Sequence, residues 1–134
     1  LTDLKRLGTI RFDSVEAIIN GMRKHPLLVA GTGRACSELM MAAATPVIVK
    51  TGAEGVFVAL LPDKKIGVAV KILDGSTRAA EAAIALILVR LGVLNKDHPA
   101  VAKRLFCEMR NWSGQITGHL IPTENFWESG RKLS

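Results

Sequence analysis

The sequence contains no tyrosine, and aromatic residues fill only 4% of its 134 positions. Its hydrophobic share of 49% is therefore met mainly by Ala, Val, Leu and Ile. That is enough for a core and excludes disorder as the main state. Only two cysteines occur, Cys36 and Cys107. They have no CxxC spacing and no histidine arranged with them for zinc, so both read as buried free thiols. No apolar run reaches the roughly 20 residues that a membrane-spanning helix needs. The most apolar stretch, Ala79 to Leu94, is interrupted by Glu81 and Arg90. The opening residues lack the apolar core of a signal peptide, and a soluble, cytoplasmic protein without a membrane partner is expected. Repeats and low-complexity segments are absent too, and the length suits one domain.

Charge is present but not concentrated. The formal net charge is +6, from 18 Lys and Arg against 12 Asp and Glu. The basic residues are scattered in pairs such as Lys5-Arg6, Lys64-Lys65 and Lys103-Arg104. No aromatic residues interleave with them as a base-stacking platform would require. A solvated basic surface is the expectation, with no nucleic-acid partner.

Several helices and strands are legible. Val15, Ile18, Ile19 and Met22 recur at helical spacing behind the caps Asp13 or Ser14, and His25-Pro26 ends that helix. Leu27 to Ala30 leads into the tight turn Gly31-Thr32-Gly33-Arg34. A short helix with Leu39 and Met40 inward follows, stopping before Thr45-Pro46. Three strands come next: Val47 to Lys50, Val56 to Leu61 and Ile66 to Leu73. The polar turn Pro62 to Lys65 makes the last two an antiparallel hairpin. In the third, Ile66, Val68, Val70 and Ile72 share one face. The small residues opposite leave room for a helix.

Asp74-Gly75 closes the third strand, and Ser76 or Thr77 starts a helix over 78–91 with Gly92 at its C-cap. That helix is apolar almost all round and needs cover from every side, from further chain or a second subunit. A helix over 99–109, a turn at Asn111 to Gly114 and a strand over 115–121 complete the pattern. Trp112 and Trp127 are expected to pack. The fold class is α+β, an antiparallel sheet with packed helices, with one domain over 1–121 and a loosely held polar tail over 122–134.

The sharpest local signal is a lysine at a strand end followed by Thr51 and Gly52. Gly52 leaves space for a ligand to approach the backbone. Lys50 presents a charge and Thr51 a hydroxyl. The same triplet also suits a solvent-facing strand end. It resembles the Lys-Thr-Gly of penicillin-binding proteins and β-lactamases. Arg34, beside two glycines, has the fork geometry for a carboxylate, but the loop lacks the length and ending of a P-loop. Glu54 reads either as a partner for Lys50 or a substrate ammonium, or as a polar turn residue. Lys71 suits a salt bridge, Asp74 a helix cap, and His25 and His98 element boundaries before prolines.

Three spaced blocks extend the signal: Leu28 to Arg34, Val49 to Val56 and Gly67 to Gly75. Together they resemble the L-asparaginase II family, the rhizobial type, over about Asp13 to Ile121. The resemblance implies a fold similar to serine β-lactamases and glutaminases. It also implies L-asparagine as substrate and hydrolysis to aspartate and ammonia. In that scheme a Ser-x-x-Lys pair supplies nucleophile and base, and a second serine assists proton transfer. The lysine on the site-lining strand matches Lys50. Thr51, Gly52, Ala53, Glu54 and Arg34 are the expected substrate-binding residues, with backbone N–H groups at Gly52 and Ala53 facing the oxyanion.

The family's metal site, two cysteines and a lysine able to hold zinc, lies upstream of the matched region. Neither Cys36 nor Cys107 falls at those positions, so no metal ligand is assigned here. The one Ser-x-x-Lys spacing, Ser129 to Lys132, falls in the polar tail, unsuited to hold a nucleophile beside its base. The expectation is thus the C-terminal part of a longer polypeptide. Its site is completed by the rest of that polypeptide or by a homologous subunit, as in a homodimer. A different class of function remains beside it: a non-catalytic module that binds a small amino acid or a protein partner.

Overall fold

Alternating apolar residues build the central sheet of the computed structural model, which describes residues 12–128. Strand β1 (Ile48–Thr51) pairs antiparallel with β2 (Val56–Leu61), and β2 pairs antiparallel with β3 (Ile66–Lys71), in the order β1-β2-β3. Phe57, Ala59 and Leu61 of β2 point into the core while Val58 and Leu60 are exposed, the two-residue period of a half-buried strand. Along β3, Ile66, Val68 and Val70, with Ile72 just beyond, pack against the core. Gly67, Ala69 and Lys71 face solvent rather than the helix that their small size allows. The register sets Lys50 opposite Val58, and Val58 opposite Ala69. The third strand ends earlier than its β-branched run suggests, and Leu73 is exposed.

Helix α1 (Phe12–Lys24) stops at His25, ahead of a proline as expected. The residues after it do not simply lead into a turn. Pro26 sits at the first position of a short helix, α2 (Pro26–Ala30), where its missing N–H costs nothing. Gly31 and Gly33 then take positive φ angles of 89° and 75°, conformations that glycine adopts without strain. Helix α3 (Ala35–Ala42) buries Ala35, Cys36, Ser37, Leu39 and Met40.

Helix α4 (Thr77–Arg90) is capped at both ends. The Ser76 hydroxyl accepts from the Ala79 N–H at 3.3 Å, and Asp74 accepts from the Ser76 N–H at 2.9 Å. At the other end Gly92 donates to the Val89 carbonyl and Val93 to that of Leu88, both at 2.9 Å. That pairing, with Gly92 at φ 71°, is a Schellman motif. Ile84, Ala85 and Leu88 join Phe57, Ala59, Leu39 and Val49 in one buried cluster. The chain itself supplies the cover: none of the large apolar side chains of α4 is exposed. Cover for this helix, expected from further chain or a second subunit, thus comes from the described residues themselves.

The largest departure follows α4. Helix α5 (Pro99–Leu105), whose first amide at Ala100 is capped by His98 Nδ1 at 3.2 Å, ends four residues early. Residues 107–110 instead form β4 (Cys107–Arg110), which pairs with β5 (Ile116–Leu120) as a separate two-stranded sheet. Among the described residues there are thus two sheets where one was expected. Phe106 and Trp112 lie exposed around this hairpin, against the expectation that Trp112 packs. Trp127 is also exposed and meets Phe126 edge to face at 5.3 Å. Within the stretch from Pro122, residues 124–126 form a short 3-10 turn. Phe126 packs against the core, with the Arg90 guanidinium 5.7 Å from its ring. The Ser129 to Lys132 spacing lies outside the described residues.

Candidate functional site

Among the described residues the lysine strand lies at the edge of its sheet, because β1 has β2 on one side only. Lys50 is exposed, and its ammonium donates to the neighbouring Thr51 carbonyl at 3.0 Å. The Thr51 hydroxyl donates to the Gly52 carbonyl at 3.3 Å. Of the two backbone donors expected to face the oxyanion, Gly52 N–H is already engaged, and so is the neighbouring Thr51 N–H. Gly52 N–H donates to the Val56 carbonyl at 2.8 Å, and Thr51 N–H donates to Cys36 Sγ at 3.2 Å. Ala53 N–H has no hydrogen-bond partner among the described residues. Gly52 also has a packing reason to be glycine. A Cβ there would stand 3.1 Å from Val56 Cβ, so that space faces the hairpin and not a ligand.

The turn from β1 to β2 is held from below. Gly55, at φ 71°, is pressed between Ile72 and the Gly75 backbone, and a Cβ on it would come within 3.0–3.1 Å of them. Ile72 N–H donates to the Gly55 carbonyl at 3.1 Å. Glu54 adopts a left-handed φ of 53°, unusual for a side chain of its size. Its carbonyl accepts from the Lys71 ammonium, so Lys71 braces the turn and, among the described residues, does not form the expected salt bridge. Among the described residues no ion pair joins Glu54 to Lys50.

Arg34 is the exposed N-cap residue of α3. The Cys36–Thr51 hydrogen bond brings the start of that helix against the end of β1. The structure thus joins the Gly31 to Arg34 turn to the Lys50 to Glu54 segment through a residue that sequence reading took for an inert thiol. Cys36 is buried as expected, whereas Cys107 is half-buried, and both are free.

A second charged group lies elsewhere. Arg104, only 7% exposed, donates through Nη2 to Glu38 at 2.6 Å and through Nε to Glu81 at 3.2 Å. Its Nη1 bonds the Ala100 carbonyl, and Lys103 joins Glu38 at 2.7 Å. Burial pushes the Glu38 carboxyl up, but hydrogen bonds from Lys103 and Arg104 and their positive charges outweigh it. The net effect holds Glu38 below the ordinary carboxyl value. A cleft of about 260 Å³ opens here, lined by Gly33, Arg78, Glu81, Lys103, Arg104 and Cys107. It includes none of the lysine-strand residues. Sequence reading missed this cluster, although Arg104 stands three residues after buried Val101, the spacing of a core-facing helix stripe.

Among the described residues no group of three His, Cys, Asp or Glu side chains is placed to hold a metal. The donor set for a zinc site is thus not met within them. Among the same residues no helix is long and apolar enough to cross a membrane.

These features define an α+β chain with an exposed lysine at the end of an edge strand, followed by a braced glycine turn. Residues 3–122 match the family described as L-asparaginase II, and the chain belongs to that family. Membership points to asparaginase-type amidohydrolase activity, with asparagine as the substrate that the family implies. Among curated proteins none matches the sequence.

Proposed function

We propose that this chain supplies one wall of an L-asparagine amidohydrolase site within a serine β-lactamase-like fold. The observation that carries the reading is Lys50, exposed at the end of an edge strand inside the family-matched residues. A serine hydroxyl from outside residues 12–128 attacks the side-chain amide carbon of asparagine. Its proton passes to the leaving nitrogen, ammonia departs, and an acyl-enzyme remains. Water then attacks the ester carbonyl and releases aspartate, returning the serine its proton. Lys50 acts through its charge, on the substrate carboxylate or on the serines. Ala53 N–H is the backbone donor free to face the oxyanion, and Thr51 and Arg34 bind the amino-acid end of the substrate. Any family metal is held by residues other than these, and no step here runs through one.

Ammonia release from asparagine and from glutamine, measured on the intact protein and on its Lys50→Ala variant, tests the proposal. Most activity on asparagine is expected to vanish in the variant. Undiminished turnover by Lys50→Ala would overturn the role of the lysine. Robust turnover by a polypeptide limited to residues 12–128 would overturn the external nucleophile.

A further inference from the structure

The geometry points to Cys36 as a positioning residue that sets the substrate-binding end of this site, an inference that rests on the reading just given. In an antiparallel pair, backbone groups of successive residues point alternately toward and away from the partner strand. Gly52 N–H points to β2, where it reaches the Val56 carbonyl. Thr51 N–H consequently points to the edge of β1 away from β2, which no strand covers among the described residues. An N–H on a free edge is a donor open to water or ligand. Here it is not open, because Cys36 Sγ accepts it at 3.2 Å from a side chain only 1% exposed.

The Thr51 carbonyl on the same edge accepts the Lys50 ammonium at 3.0 Å. Thr51 is thus fixed on both its edge groups, one by α3 and one by the lysine. Cys36 follows Arg34 by two residues, so the same hydrogen bond fixes how the Arg34 turn stands relative to Lys50 and Thr51. Among the described residues no other side-chain hydrogen bond joins those two segments. Cys36 touches no substrate in this scheme. It acts by holding in register the two pieces that do.

Two substitutions separate this role from plain core packing. Cys36→Val keeps an apolar side chain of similar size and removes the acceptor, whereas Cys36→Ser keeps an acceptor and sacrifices apolarity. A packing role makes valine the better replacement. A positioning role makes serine the better one. The expected result in the intact protein is a KM for asparagine raised about tenfold by Cys36→Val and about twofold by Cys36→Ser, with kcat little changed. Near-equal KM values for Cys36→Val and wild type would overturn the inference.

Hydrogen exchange of the Thr51 amide in the wild-type protein provides a measurement that needs no variant to fold. Protection at Thr51 comparable to that of Gly52 is expected, and fast exchange at Thr51 would overturn the inference by itself. Lys50→Ala serves as the reference. Should that variant stay fully active, the site reading has failed. Should it be inactive while Cys36→Val keeps a wild-type KM, only the positioning role has failed.

Discussion

Lys50 and Arg104 are both cations on regular elements of the same chain, yet their surroundings differ completely. Arg104 is buried and meets two carboxylates and a carbonyl, so its charge is answered inside the protein. Lys50 is exposed and meets only the carbonyl of the next residue. A buried cation without partners is costly, so the partners of Arg104 explain why it is tolerated there and tie α3, α4 and α5 together. Among the described residues the ammonium of Lys50 meets no carboxylate, so its charge is left to act outward. The first region holds the scaffold, and the second is available to a ligand.

Two substitutions break this comparison if it is wrong. Arg104→Ala leaves Glu38 without its buried partner and is expected to cost about 3 kcal/mol or more of stability, read by denaturant unfolding. A loss within about 0.5 kcal/mol would mean that the network is ornamental. Lys50→Ala is expected to lower kcat/KM for asparagine by about a hundredfold with the unfolding midpoint unchanged. A shifted midpoint with intact turnover would exchange the two roles.

What the sequence revealed divides along the same line. The strand with Lys50 and the hairpin after it were legible because their signals are local: β-branched alternation, a polar turn and glycines at the bends. The helix over 99–109 was misjudged because Val101, Ala102 and Leu105 carry a helical period that says nothing about β5. Pairing with Ile116 to Leu120 claims Cys107 to Arg110, and that partner lies beyond any local window. Trp112 was expected to pack, but it stands exposed at the hairpin tip. The Glu38–Arg104 pair spans 66 residues of sequence. A carboxylate within the mostly apolar helix of Ala35 to Ala42 was the one sign that such a partner exists. The Cys36–Thr51 bond had no sign at all, since a buried cysteine usually packs and does nothing more.

The turn beneath Lys50 offers a smaller test that sharpens the comparison. Gly55→Ala places a methyl group within 3.0–3.1 Å of Ile72 and Gly75 and forces alanine into a positive φ. A stability loss of about 1–3 kcal/mol is expected from strain and crowding together. Because the same turn carries Ala53 and Glu54, kcat/KM is expected to fall with it. Gly114→Ala provides the control, with a comparable φ of 78° and nothing within 4 Å of an added Cβ. It is expected to cost less stability and to leave activity alone. Equal effects at the two positions would show that contact with the β3 end contributes nothing to the site turn.

The smallest expected effect concerns Glu38 and acid. In the folded chain its carboxyl lies below the ordinary value of 4.5, because Lys103 and Arg104 favour the charged form more than burial opposes it. In the unfolded chain those partners are gone and the carboxyl returns to that ordinary value. Below about pH 4.5 the unfolded state therefore binds the proton first, and stability falls with pH until the folded carboxyl is protonated too. The contribution is fully present above that window and is unaffected by pH changes near neutrality. Unfolding curves at pH 7 and at successive steps below pH 4.5 read it as a slope. Glu38→Gln is expected to flatten that slope, while Lys50→Ala leaves it as in the wild type. If both variants flattened it alike, the Lys50 region would share in the internal charge balance, and the division between a scaffold cation and a site cation would fall.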